Sequence, residues 1–201
     1  MGQRDDGLSG FKFGMSQQAV RDLARMALAD LLRARTAWDE APALLFAYFE
    51  DGAVRISGRS LVPDEFWAKG APSYVLEALA DGLAAHPLQR RFAEVAPETF
   101  FGVVFRCETW MVKVPVSDTA AYERADRAAR RRELRLHPQR VESRTAWAMT
   151  RTGMLSAIQD RGSDEVSVRP IKGLGGVVPD ALTTMFRAVV SRQGSVKVAG
   201  A

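Results

Sequence analysis

Residues 43–60 read ALLFAYFEDGAVRISGRS, and this stretch decides the fold. Two extended runs flank Asp51-Gly52, a dipeptide suited to the two positive-φ positions of a tight type I′ turn, so the stretch reads as a β-hairpin of 43–49 and 53–60. In the first run Leu44, Phe46 and Tyr48 alternate with Leu45, Ala47 and Phe49. A strand that is apolar on both faces is ordinarily covered on both, which gives it a central place in its sheet. The second run sets Val54 and Ile56 against Arg55, Ser57 and Arg59.

Upstream, Ser16 is a suitable N-cap, and Val20, Leu23, Ala24, Ala27, Leu28 and Leu31 recur at spacings of three and four, which predicts an amphipathic helix ending near Arg35. Residues 1–14 read as a flexible arm whose large apolar residues are Phe11 and Phe13. Downstream, 63–72 reads as a loop carrying the aromatics Phe66 and Trp67. A second helix follows from Ser73, with Val75, Leu76, Leu79 and Leu83 as its stripe, and His86-Pro87 is expected to end it, because a residue before proline disfavours the helical region. Extended runs follow at 100–114, 141–150, 154–159 and 165–171. A last helix spans Val177 to Val190, with Pro179 in its first turn and Leu182, Met185, Phe186 and Val189 on its buried face. Residues 193–201 read as a flexible tail.

The expected architecture is a single α+β domain over 15–192, with about five antiparallel strands flanked by three main helices in the order α-β-β-α-β-β-β-α. This order is similar to that of the roadblock and longin-type small domains, which serve mainly as dimerising scaffolds and adaptors. The resemblance is one of element order, and it implies a dimeric interaction domain.

One segment interrupts this frame. Hairpin connections run to about 2 to 5 residues, yet an insert over 116–140 separates the strand ending at Val114 from the one beginning at Val141. Asp118 to Arg140 holds seven arginines against four acids, a net +3 of the chain's +4. The pairs Glu123→Arg127 and Asp126→Arg130 at i,i+4, together with an arginine-rich C-terminal end facing the negative pole of the macrodipole, predict a helix there. It reads as a solvated helix, as a protein contact, or as a phosphate-gripping surface of Arg127, Arg130, Arg131, Arg132 and Arg135. The segment's own acids and its lack of interleaved aromatics for base stacking weigh against the last.

Composition narrows the functional classes. With 201 residues and 47% hydrophobic content the chain can bury a substantial core. A single cysteine, Cys107, excludes an intramolecular disulfide framework and a cysteine-based zinc cluster, and fits the cytoplasm. No run approaches the roughly 20 apolar residues of a membrane span, and the N-terminus lacks the pattern of a secretion signal. Arginine outnumbers lysine 23 to 5, as in a GC-rich bacterium or its phage.

Chemistry is sparse. His86 and His137 each precede proline and read as turn residues. Cys107, in a strand with Val103, Phe105 and Thr109, reads as a buried and therefore inert thiol. Lys172-Gly173-Leu174-Gly175-Gly176 precedes the last helix but matches neither of the common phosphate-loop patterns, and Asp180 would repel an anion there. The remaining candidate is a polar patch of Arg106, Glu108 and Trp110 on one strand with Glu142 and Arg144 on a later one. Paired as antiparallel neighbours, these charges form either an exposed salt-bridge ladder or a site for a ligand or metal. The expectation is a non-enzymatic, homodimeric adaptor without cofactor. The alternatives are a nucleic-acid-binding accessory protein that uses the insert helix and a small metal-dependent hydrolase or nuclease that uses Glu108 and Glu142.

Overall fold

The computed structural model describes residues 14–84, 86–114, 117–130, 133–171 and 176–198. In chain order the elements are α1 (Gln17–Arg33), β1 (Ala43–Glu50), β2 (Ala53–Ile56), α2 (Asp64–Trp67), α3 (Pro72–Ala84), α4 (His86–Glu94), β3 (Phe100–Val112), α5 (Thr119–Arg130), a 3-10 turn (Leu134–Leu136), β4 (Arg140–Thr150), β5 (Gly153–Asp160), β6 (Val166–Pro170) and α6 (Val177–Val198). The fold is α+β. All six extended spans pair, one strand more than the expected five, in one antiparallel sheet of order β2-β1-β3-β4-β5-β6.

The two faces of β1 enter two different cores, as its double apolar pattern requires. Leu44 and Phe46 join Val103, Phe105 and Met154 under a layer in which Leu76, Phe92, Leu182 and Met185 represent α3, α4 and α6. Leu45 and Ala47 join Val104, Ala146, Ala148 and Ala157 under α1, which contributes Val20, Ala24, Leu28 and Leu32. The small residues of β4 and β5 let α1 approach closely. Ser16 caps α1 by accepting from the amide of Ala19 at 3.1 Å, and Asp51 and Gly52 take φ of 49° and 73° in the hairpin turn. Among the described residues no helix is long and apolar enough to cross a membrane.

Several expected boundaries differ. β2 ends at Ile56 rather than Ser60, because the regular ladder breaks there: the amides of Ser57 and Leu61 still donate to the carbonyls of Phe46 and Leu44, but serine side chains accept from the β1 amides. Ser57 Oγ accepts from the amide of Phe46 at 3.1 Å and Ser60 Oγ from that of Leu44 at 3.3 Å. The 63–72 loop contains the short helix α2, and Trp67 is buried (5% exposed) with its ring 5.6 Å from that of Phe105, so of the two aromatics there only Phe66 is exposed. His86-Pro87 ends one helix but also starts another, since a proline is tolerated in a first turn whose amides need no helical partner. α6 runs eight residues past Val190. Residues 172–175, which include most of the glycine-rich turn, lie outside the described residues.

Candidate functional site

α1 is shorter than the sheet it covers. Alternation places Arg106, Glu108 and Trp110 on the same side of β3 as Val104, and Glu142 and Arg144 on the same side of β4 as Ala146. Beyond the end of α1 this side of the sheet turns polar, and the connection to β1, Arg35 to Pro42, lies across it as a strap.

The register brings the sequence-predicted patch together. Glu108 stands directly opposite Arg144, and Trp110 opposite Glu142. Arg144 Nε donates to Glu108 Oε1 at 3.3 Å, and Arg144 Nη1 donates to the carbonyl of Arg35 at 2.7 Å. Glu108 Oε2 accepts from the backbone amide of Asp39 at 2.7 Å, which holds Asp39 in the left-handed region at φ 66°. Arg106 Nη1 and Arg35 Nη1 converge on a single oxygen, Glu40 Oε2, at 3.0 and 2.9 Å. Trp38 meets two cations, with the Arg144 guanidinium 4.2 Å and the Arg161 guanidinium 5.2 Å from its ring centre, and Arg161 also pairs with Glu142. The expected exposed ladder is therefore a buried one: the side chains of Arg106 and Arg144 are 7% and 4% exposed. The strap removes them from solvent.

Burial, with the repulsion of Arg35 behind it, holds Arg106 below the usual arginine range, and Glu40 offsets part of this. The bond to Glu142 pushes Arg161 the other way. Arg144 Nη2 is buried and bonded to no described residue. Arg144, Arg106 and Glu108 line a void of about 10 Å3, room for one water molecule.

Carboxylate oxygens of Asp39, Glu108 and Glu142 lie within 4.8 Å of one another, a spacing that suits a divalent cation. Both oxygens of Glu108 are already engaged, and Glu142 is paired with Arg161. Four guanidinium groups (Arg35, Arg106, Arg144, Arg161) stand against four carboxylates (Asp39, Glu40, Glu108, Glu142). A metal would have to displace arginines that are bound where they are, so the arrangement fits a structural charge network better than a hydrolytic centre.

Cys107 points to the opposite side of β3, where its sulfur lies 3.4 Å from Thr145 Oγ1, and burial pushes the thiol up. His137 is a turn residue, its Nδ1 accepting from the amide of Gln139 at 3.2 Å; the side chain of His86 lies outside the described residues.

Trp110 stands apart from the network. It is 37% exposed, with the Arg140 guanidinium 5.4 Å from its ring centre, where β3 and β4 lead out to the insert. The insert is helical as expected. α5 turns Ala121 inward and half-buries Ala125 and Ala128, while Glu123, Arg124 and Arg127 are exposed. Its most extensive described contact is with the 3-10 turn that follows it. Arg135 is exposed, as is Leu136 at 70%. The side chain of Arg130 and the whole of Arg131 and Arg132 lie outside the described residues.

The strap residues Arg35, Trp38, Asp39 and Glu40, and Arg161 with them, did not stand out in the sequence. The available signal was a tryptophan flanked by charges in a connection too short to bury it alone. Family models, curated proteins and solved structures were compared with the chain, and none matches it.

Proposed function

We propose that the protein is a non-enzymatic interaction domain that pairs with a second copy of itself through the arm formed by the outer ends of β3 and β4 and by α5. The observation that carries this reading is the outward face of α5. Glu123 and Arg127 lie one turn apart on that face and are both exposed, opposite the inward Ala121. Two such helices related by a twofold axis level with Ala125 run antiparallel and set each Glu123 against the other copy's Arg127, a self-complementary pattern of the kind a twofold interface needs. Exposed charges of this sort fix orientation and register more than affinity. The apolar contribution comes from the exposed Leu136, in the 3-10 turn that contacts α5, and from the exposed Trp110 on β3. A cytoplasmic setting suits a domain with one cysteine and no disulfide.

Sedimentation velocity over a concentration series tests this. The wild-type chain is expected to dimerise. Glu123→Arg and Arg127→Glu each place like charges across the axis and should weaken the dimer by about tenfold or more; mixing the two variants should restore a heterodimer. A wild-type chain that stays monomeric throughout overturns the proposal.

A second reading has one observation in its favour. Trp110 beside Arg140 supplies a stacking surface near the arginines of the arm, which suits single-stranded nucleic acid. Oligonucleotide binding that falls steeply with salt and is lost in Trp110→Ala would move the arm to that function.

A further inference from the structure

A cleft of about 490 Å3 opens beside the strap, between the connection to β1 and the chain that follows β2. This volume is within the range of small-molecule sites, about 300 to 1,000 Å3. Its charged lining comprises the guanidinium groups of Arg35, Arg59 and Arg106 against the carboxylates of Glu40 and Asp64, an excess of one positive charge. Distribution sharpens that excess. Arg35 and Arg106 share the one oxygen of Glu40, so the excess lies with them, while Arg59 and Asp64, both exposed, form no ion pair among the described residues. The buried apolar walls are Ala43, Leu45 and Val62. The opposite wall is fixed in place because Ser60 Oγ bonds both the amide of Leu44 and the carbonyl of Val62, so the cleft exists before any ligand arrives.

We propose that this cleft binds a small organic oxyanion, a carboxylate or phosphate group on a compact apolar body. Arg59 contacts the anion first, and Arg35 and Arg106 complete its coordination in the place that Glu40 now holds. Guanidinium groups suit either oxyanion, since their paired N–H groups match two oxygens of a carboxylate or phosphate. Glu40 thus acts as an internal competitor for the site. This inference goes beyond the dimer reading and rests on residues that the arm does not include.

The test is a titration of backbone amide shifts in the isotopically labelled full chain with isovalerate and, separately, with inorganic phosphate, each against sodium chloride at matched ionic strength. Saturable shifts are expected at the amides of residues 41, 43–45 and 58–62, with a dissociation constant at or below about 10 mM. Saturation by isovalerate alone identifies a carboxylate site with an apolar contribution; saturation by phosphate identifies a phosphate site; either supports the proposal. Arg59→Ala, an exposed position whose loss leaves the fold intact, should weaken binding about tenfold, whereas Arg91→Ala on the far side of α4 should not. Glu40→Gln should tighten binding by a similar factor. Shifts that never saturate, that chloride reproduces, or that survive Arg59→Ala overturn the site, and an unchanged titration in Glu40→Gln removes Arg35 and Arg106 from it.

Discussion

Arg144 sets the energetics at the scale of single residues. A guanidinium taken out of water loses several kcal/mol of hydration, and only close counter-charges and hydrogen bonds return it. Glu108 supplies the charge, the carbonyl of Arg35 a hydrogen bond, and Trp38 a face to stack on. Glu108→Ala removes the one carboxylate bonded to Arg144 among the described residues and should cost about 3 kcal/mol or more, read as a lower urea midpoint at unchanged slope. Arg144→Met added to that variant should recover part of the loss, because an apolar side chain of similar length costs less to bury than an unpaired cation. If the double variant is less stable than Glu108→Ala alone, the contacts of Arg144 with the strap outweigh the ion pair. On the other side of the same strand, the raised Cys107 thiol stays protonated at neutral pH, and the thiolate is the form that reacts. Alkylation by iodoacetamide should therefore be at least about tenfold slower in the native chain than after denaturation; equal rates would refute burial as the cause of the shift.

At the scale of elements, what could be read in advance divides by sequence distance. The β1–β2 hairpin was legible because its turn chemistry and its alternation are both local, and α1 because one serine cap and one stripe specify it. The pairing of Glu108 with Arg144 was legible as soon as β3 and β4 were taken as neighbours. The strap was not legible. Its bonds run from Asp39 to Glu108, from Glu40 to Arg106 and from the carbonyl of Arg35 to Arg144, partners 66 to 109 residues apart, and no local pattern announces them. α4 was missed for a different reason: a proline that stops one helix also suits the first turn of the next. The early end of β2 belongs to the same class, since serine side chains rather than strand carbonyls accept from the amides of β1 there. That substitution is testable. Ser57→Ala and Ser60→Ala each leave a β1 amide without its acceptor and should cost about 1 kcal/mol, with faster hydrogen exchange at Phe46 and Leu44 respectively. Unchanged exchange at these amides would show that water replaces the hydroxyls without loss.

At the scale of the whole molecule, the body and the arm separate energetically. Both apolar cores are built from α1, the sheet and the α3, α4 and α6 layer, and among the described residues neither contains one between 113 and 139. The ladder of β3 and β4 nevertheless continues outward to Val112 opposite Arg140, three pairs past Thr109 and Ser143, the last level at which β5 still flanks β4. A two-stranded ribbon gains little stability from its own burial, and the 3-10 turn Leu134–Leu136 contacts both strands of this one, so the proposed dimer gives the helix it carries a role that the cores do not. Replacing residues 113–139 with Asn-Gly places a two-residue turn between Val112 and Arg140, which the antiparallel register accommodates directly. The shortened chain should keep its cooperative unfolding, with a melting temperature changed by no more than about 5 °C, because almost no core surface is removed. On the proposed dimer, it should also be monomeric at concentrations where the full chain sediments as a pair. A shortened chain that fails to fold would show that the arm completes the core after all, and one that folds and still dimerises would move the interface to the body of the sheet.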